Sequence, residues 1–256
     1  MIKILLVGCS GKMGMAITKL VENGTAFSIA AGVSKEPVDD CIYPVFNSIA
    51  ECNVAADVII DFSRPETVLA DIEYSAHNRT PLMVGTSALT EKHLEALKVL
   101  ATHVPVLHAA NTSLGFNLLL DLVQHATKSL QETFDIEIIE SHHSAKVDAP
   151  SGGAFMIANA INSALDQPKD YIYDRHSIHE KRNKNHIGIQ AIRGGNIVGD
   201  HTAIFAGMDE VLKISHHAQS KDIFAKGALE CAKFLMNVEP GMYGMKDVLN
   251  KKGLGS

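Results

Sequence analysis

Residues 2–33 run IKILLVGCSGKMGMAITKLVENGTAFSIAAGV, and this stretch limits the possible folds more than any other. An apolar run (Ile2–Val7), a glycine-rich loop, a helix-spaced segment (Met13–Val21) and a second apolar run (Phe27–Val33) follow in immediate succession. Two buried strands joined through a helix lie parallel, and the crossover takes the right-handed course. The pattern then repeats. Strands are expected at 57–61 (DVIID), 81–84 and 104–109, with helices at 65–77 and 90–102. Ser63 is the expected cap of the helix that opens at Pro65, a residue pre-set for the first helical position. Such a βαβα series predicts a parallel sheet covered on both faces.

The pattern changes after residue 113. A long helix is expected at 115–130, a strand at 134–140 (FDIEIIE) and a helix at 151–165. Three strand-like stretches follow, at 187–193, 197–205 and 210–216, with little helix between them. Consecutive strands predict a second α+β domain with a mixed or antiparallel sheet. Residues 221–237 return to helical spacing, and the tail GMYGMKDVL is expected to pack back on the first domain. The expected division is therefore 1–113 plus about 226–256 for one domain and 114–225 for the other.

The loop GCSGKMG (8–14) spaces Gly8, Gly11 and Gly14 as GxxGxxG between the first strand and the first helix. A dinucleotide-binding Rossmann-type domain needs a tight turn there, close backbone approach to a pyrophosphate, and helix N–H groups aimed at its oxygens. A glycine-rich turn without a ligand has the same composition. Near the end of strand two, Lys35 could face a 2′-phosphate or stand in solvent, and Glu36 could serve the ribose of NADH. Both NADPH and NADH are expected, with NADPH favoured. The loops after the next three strands, DFSRP (61–65), VGTSAL (84–89) and AANTSLG (109–115), are small and polar, as a nicotinamide crevice or an ordinary turn would be.

The net charge of −6 and pI near 6.1 give no bulk attraction for nucleic acid or anionic membrane. Cys9, Cys41, Cys52 and Cys231 form no CxxC pair, which fits a reducing cytoplasm. The opening MIKILLVG is too short for a signal-peptide core, and no apolar run reaches membrane-spanning length.

The densest chemistry lies in ESHHSAKVDAPSGGA, residues 140–154. A histidine titrates near neutrality and can give up a proton at working pH. Lys146 offers a positive charge. Pro150 precedes Ser151, the expected helix cap, and Gly152 and Gly153 leave helix-start N–H groups open to an anion. A proton donor, a cation and an anion cradle together suit an acidic substrate that must be protonated. His142, His143, His179, His186 and His201 could instead assemble a metal site, but HExxH spacing is absent and no cysteine is near, so no metal is expected.

This segment resembles the 4-hydroxy-tetrahydrodipicolinate (dihydrodipicolinate) reductase family, whose motif runs roughly E-x-H-H-x-x-K-x-D-A-P-S-G-T-A. Glu140, His142, His143, Lys146, Asp148, Ala149, Pro150, Ser151 and Gly152 match it. The stretch 192–218 and the segments KDIFAKGALECAKFL and GMYGMKDVL also resemble the family, so the likeness runs through most of the chain. The resemblance implies that His142 and Lys146 are catalytic, and that His143, Ser151, Gly152 and Gly153 contact a small dicarboxylate. It implies cofactor contacts at Gly8, Cys9, Ser10, Gly11, Lys12, Met13, Lys35, Gly85, Thr86, Ser87, Ala109, Ala110, Asn111 and Thr112. It also implies a homotetramer assembled through the sheet of the second domain. The chain departs from the family pattern at Gly153 (usually threonine), in the 85–89 loop, at Thr112 and at Lys221. Loss of one hydroxyl at 153 removes a bond contributing about 1 kcal/mol, which would lower substrate affinity several-fold. The rival readings are a nucleotide-binding protein or redox sensor without this chemistry, a metal-dependent hydrolase, and another two-domain NAD(P)-dependent dehydrogenase.

Overall fold

A computed structural model describes residues 1–36, 38 and 41–251; residues 252–256 of the expected C-terminal span lie outside them. The elements run β1 (Ile2–Val7), α1 (Lys12–Glu22), β2 (Phe27–Val33), β3 (Val45–Phe46), β4 (Val58–Asp61), α2 (Pro65–Asn78), β5 (Leu82–Val84), α3 (Glu91–Leu100) and β6 (Pro105–His108). They continue with α4 (Leu114–Leu130), β7 (Asp135–His142), α5 (Gly152–Ala164), β8 (Asp170–Ile172), β9 (His186–Arg193), β10 (Gly199–Ala206) and β11 (Val211–Ala218). The last are α6 (Asp222–Leu235), β12 (Gly241–Tyr243) and α7 (Met245–Lys251). Two compact units result: Met1–Leu114 with the segment from Asp222 onward, and Gly115–Lys221.

The first unit holds a seven-stranded sheet in the order β12-β6-β5-β4-β1-β2-β3. Every pairing in it is parallel. Alternation along β1 shows why both faces are dry. Ile4 and Leu6 point to a core shared with Ile17 of α1, Ala228 and Cys231 of α6, and Val248 of α7. Leu5 and Val7 point to the other core, with Val68 and Ile72 of α2 and Leu97 and Leu100 of α3. A sheet buried on both faces needs continuous apolar strands, and IKILLV and VIID supply them. The tail packs back on this unit through β12, which pairs with β6, and through Met245 and Val248 in the core.

The second unit holds a five-stranded sheet in the order β11-β10-β7-β9-β8. It is mixed: β7 and β8 run parallel to β9, whereas β10 runs antiparallel to β7 and β11. Helices α4 and α5 cover one face, with Phe116, Leu119, Ile157 and Ile161 against Ile136, Ile138, Ile187, Ile189 and Phe205.

Two local expectations differ from the structure. Ser63 does not cap α2; the cap position is Arg64, with no side-chain cap bond, and Ser63 turns back to bond Asp61 and Thr67. Strand β7 does not stop at Glu140 but runs on to His142, because pairing with β9 continues to His142 opposite Arg193. The extension puts Glu140 and His142 on one face of the sheet.

Candidate active site

In the first unit, the residues expected to contact the cofactor fall at or just beyond the carboxyl ends of parallel strands. Gly8 follows β1 with a φ of +80°, the left-handed region that glycine enters freely. A side chain at Gly14 would collide with the Gly8 carbonyl and the Cys9 backbone, so α1 can approach the loop only without one. Gly11 caps α1 with no side-chain acceptor, and the first turn carries no acid. The N–H groups there are thus left for an anion, as a pyrophosphate cradle requires. Ser10 Oγ lies 2.7 Å from Ser34 Oγ, which also accepts the Glu36 N–H at 3.0 Å, tying the glycine loop to the end of β2. Lys12 and Lys35 are exposed, Met13 is half-buried, and the Cys9 side chain points into the core.

The remaining loops are held together from within. Gly85 is buried after β5, and Thr86 Oγ1 accepts the Ser63 N–H at 2.9 Å, joining the β4 and β5 loops; Ser87 is exposed. After β6, Ala109 is buried, Ala110 exposed and Asn111 half-buried, with Asn111 Oδ1 accepting the Ser113 N–H at 2.9 Å. Thr112 donates its hydroxyl to the Phe224 carbonyl of α6 at 2.7 Å. The hydroxyls of Thr86 and Thr112 are therefore committed to the scaffold. Asp61, at the end of β4, is wholly buried, and burial pushes its carboxyl up despite bonds from Ser63 and Thr86.

In the second unit the sheet register assembles the side chains. Glu140 of β7 pairs across to His201 of β10, and His201 to His216 of β11, so three titratable groups form one row. His142 lies two residues on, opposite Arg193. Glu140 is 0% exposed and accepts four bonds. His142 Nδ1 is 2.6 Å from Oε2, the Ser151 N–H 3.0 Å from Oε1, and the Arg193 fork reaches Oε2 at 2.9 Å and Oε1 at 2.8 Å. Burial opposes ionisation, but Arg193, His142 and the Ser151 N–H outweigh it and hold the Glu140 carboxyl below its ordinary range.

Ser151 caps α5, its Oγ accepting the Ala154 N–H at 3.2 Å. A Cβ added at Gly152 would meet nothing within 4 Å, so the helix start is open there. Lys146 pairs with the exposed Asp148 at 2.8 Å and holds that carboxyl low, while His143 is half-buried. Of the called residues, His142, Lys146, Ser151, Gly152 and Gly153 lie on one run of chain tied together by Glu140 and by Arg193, which also donates to the Asp148 carbonyl at 2.7 Å. Among the described residues, no group of three or more His, Cys, Asp or Glu could hold a metal ion.

The sequence reading assigned no role to Arg193 and offered His201 only as a metal ligand. His201 is 7% exposed, its Nε2 3.2 Å from Ser151 Oγ, and a Cβ at Gly153 would lie 2.5 Å from that nitrogen. The imidazole thus occupies space beside Gly153 that a side chain would otherwise enter. Burial, followed by the nearby His142, pushes the His201 pKa down to about 4, so the ring is neutral at neutral pH. The alternation of β7 could have flagged Glu140, since residues 136, 138, 140 and 142 share a face. Arg193 and His201 fall in the stretch 192–218 that resembles the family, but only sheet pairing brings them beside Glu140.

Comparison with known proteins agrees along the whole described chain. The family model described as dihydrodipicolinate reductase, N-terminus, matches residues 2–112, and that described as dihydrodipicolinate reductase, C-terminus, matches 115–249. A 4-hydroxy-tetrahydrodipicolinate reductase of Caldanaerobacter subterraneus subsp. tengcongensis is 45% identical, covering 98% of this chain and 99% of its own. The corresponding protein of Clostridium novyi is 42% identical over 98% of this chain and 100% of its own. A dipicolinate-bound dihydrodipicolinate reductase from Paenisporosarcina sp. TG-14 shares the fold with a TM-score of 0.82, at 21% identity, covering 96% and 98% of the two chains. With both halves matched and near-complete relatives above 40% identity, the chain belongs to the dihydrodipicolinate reductase family.

Proposed function

We propose that this chain is an oxidoreductase that reduces 4-hydroxy-tetrahydrodipicolinate to tetrahydrodipicolinate in lysine and diaminopimelate synthesis. The balance is substrate plus NAD(P)H plus one proton, giving product, NAD(P)+ and water. The nicotinamide nucleotide supplies the hydride. The glycine loop with the uncapped start of α1 fits its pyrophosphate; Ser10, Lys35, Thr86 and Asn111 lie on loops at the carboxyl end of the same sheet, and Lys12 opens α1. Lys35 is exposed and suits a 2′-phosphate, which favours NADPH over NADH.

The observation that carries the reading is in the second unit: a buried carboxylate holds His142 beside an open helix start. His142 gives the proton through Nε2, the ring nitrogen not engaged by Glu140. Lys146 supplies positive charge to a substrate carboxylate or to charge developing on the ring. The N–H groups of Gly152 and Gly153, with Ser151 and His143, hold a carboxylate at the helix start. The dipicolinate named in the Paenisporosarcina structure supports a dicarboxylate of this class. The uncovered face of the second sheet, with Ile192 half-exposed on it, suits assembly into a homotetramer. Among the described residues Cys9, Cys41 and Cys52 are free thiols, which suits a cytoplasmic enzyme.

The test is oxidation of NADPH and NADH by the purified protein given freshly made substrate. Turnover is expected with both, and none with either would reject the reading. Substituting His142→Gln should lower kcat by about 100-fold or more if its proton transfer is catalytic. An unchanged rate would remove His142 from the mechanism.

A further inference from the structure

We propose that Glu140, clamped by Arg193, is the positioning residue of this site: it fixes the tautomer of His142 and sets the register of the helix start against it. The proposal rests on His142 being the group that handles the proton.

An ionised carboxylate only accepts hydrogen bonds. With Glu140 Oε2 at 2.6 Å, the His142 Nδ1 must carry the hydrogen, which leaves Nε2 as the working atom. Nε2 lies over Gly199, where an added Cβ would stand 3.1 Å from it, so no side chain crowds that edge of the ring. The bond between the carboxylate and the imidazole is of the charge-assisted kind that holds a ring in one orientation. The ring itself is only 12% exposed, so water screens this interaction poorly.

The same carboxylate cannot drift. Its second oxygen takes the Ser151 N–H, so the α5 cap is fixed to the group that holds His142. Arg193 grips both oxygens and reaches on to the Asp148 carbonyl, locking the loop between Lys146 and the cap. A bidentate guanidinium defines the plane of a carboxylate as no single donor does. One buried group therefore places the proton donor, the anion cradle and the lysine loop together. The charged and titratable groups around His142 are Glu140 on its own strand, Arg193 on β9 and His201 on β10, its ring centroid 5.2 Å away. The Lys146–Asp148 pair lies on the following loop.

Glu140→Gln preserves shape but removes the charge. In the full-length enzyme, kcat should fall on the order of 100-fold, and the KM for the nucleotide should stay as in wild type. Wild-type kcat in a folded Glu140→Gln protein would overturn the proposal. If His142→Gln is slow while Glu140→Gln is not, the positioning role alone fails; if His142→Gln is itself unaffected, the reading beneath it fails. Should Glu140→Gln not fold, nitrogen NMR of the wild-type histidines decides. A His142 with hydrogen on Nδ1 and a bare Nε2 at high pH supports the role, and the opposite tautomer overturns it.

Discussion

Buried carboxyls in the two units behave in opposite ways. In the first unit Asp71 of α2 is 1% exposed, its Oδ2 has no hydrogen-bond partner among the described residues, and burial together with nearby Asp61 pushes its pKa well up. In the second unit Glu140 is at least as buried, yet its carboxyl is held down. The difference lies in the donors: Asp71 faces another acid, whereas Glu140 faces a guanidinium fork, an imidazole and an amide. Low exposure alone therefore does not decide which way a carboxyl shifts; its neighbours matter too. Burial and a second acid raise Asp71, while Glu140 keeps a negative charge available to a histidine.

The sharpest way to break this comparison is to take away the fork. Arg193→Gln should destabilise the fold by about 3–5 kcal/mol, since it leaves a buried charge uncompensated. Thermal or denaturant unfolding with an activity assay would check it, and a loss under 1 kcal/mol would show that Glu140 does not depend on Arg193.

Next in size is the boundary of the network. Gly153→Ala places a methyl 2.5 Å from His201 Nε2, and overpacking of this kind costs about 1–3 kcal/mol. The neighbouring Gly152→Ala meets nothing and should fold as wild type. Unfolding curves and substrate KM for the pair would show how little slack the second unit has. Equal values would show that His201 yields freely.

The smallest effect sharpens the comparison by pH. The raised pKa of Asp71 gives stability that is present at acid pH and lost as pH rises through its folded value. The lowered pKa of Glu140 gives stability present above the unfolded carboxyl range and lost as pH falls through its folded value. Asp71→Asn mimics the protonated acid. It should match wild type near pH 4 and gain about 1 kcal/mol at pH 8, as melting temperatures across that range would show. A gain independent of pH would assign the effect to something other than the proton.

Much of this was legible in the chain. The strands of the first unit carry mainly apolar runs, so their parallel sheet could be read directly, and Gly8 and Gly14 marked the tight turn between β1 and α1. The segment 140–154 showed its proposed proton donor, cation and open helix start through residue types. The internal bonds of Thr86 and Thr112, to Ser63 and Phe224, were not legible. Ser63 read as a cap because helix caps are often serine, but a buried aspartate two residues back competes for it. Arg193 and His201 reach the site through strand pairing across fifty or more positions of sequence, and no local pattern encodes strand order.

The placement of α6, β12 and α7 has a consequence for synthesis. The first unit cannot finish until residues 222–251 leave the ribosome, because they supply a sheet edge and part of the core. The second unit is contiguous, from Gly115 to Lys221, so every residue it needs is translated before that final stretch. The domain begun first is thus completed last. During translation its β6 edge and the apolar face awaiting α6 stand uncovered, the condition in which a nascent chain most needs chaperone protection.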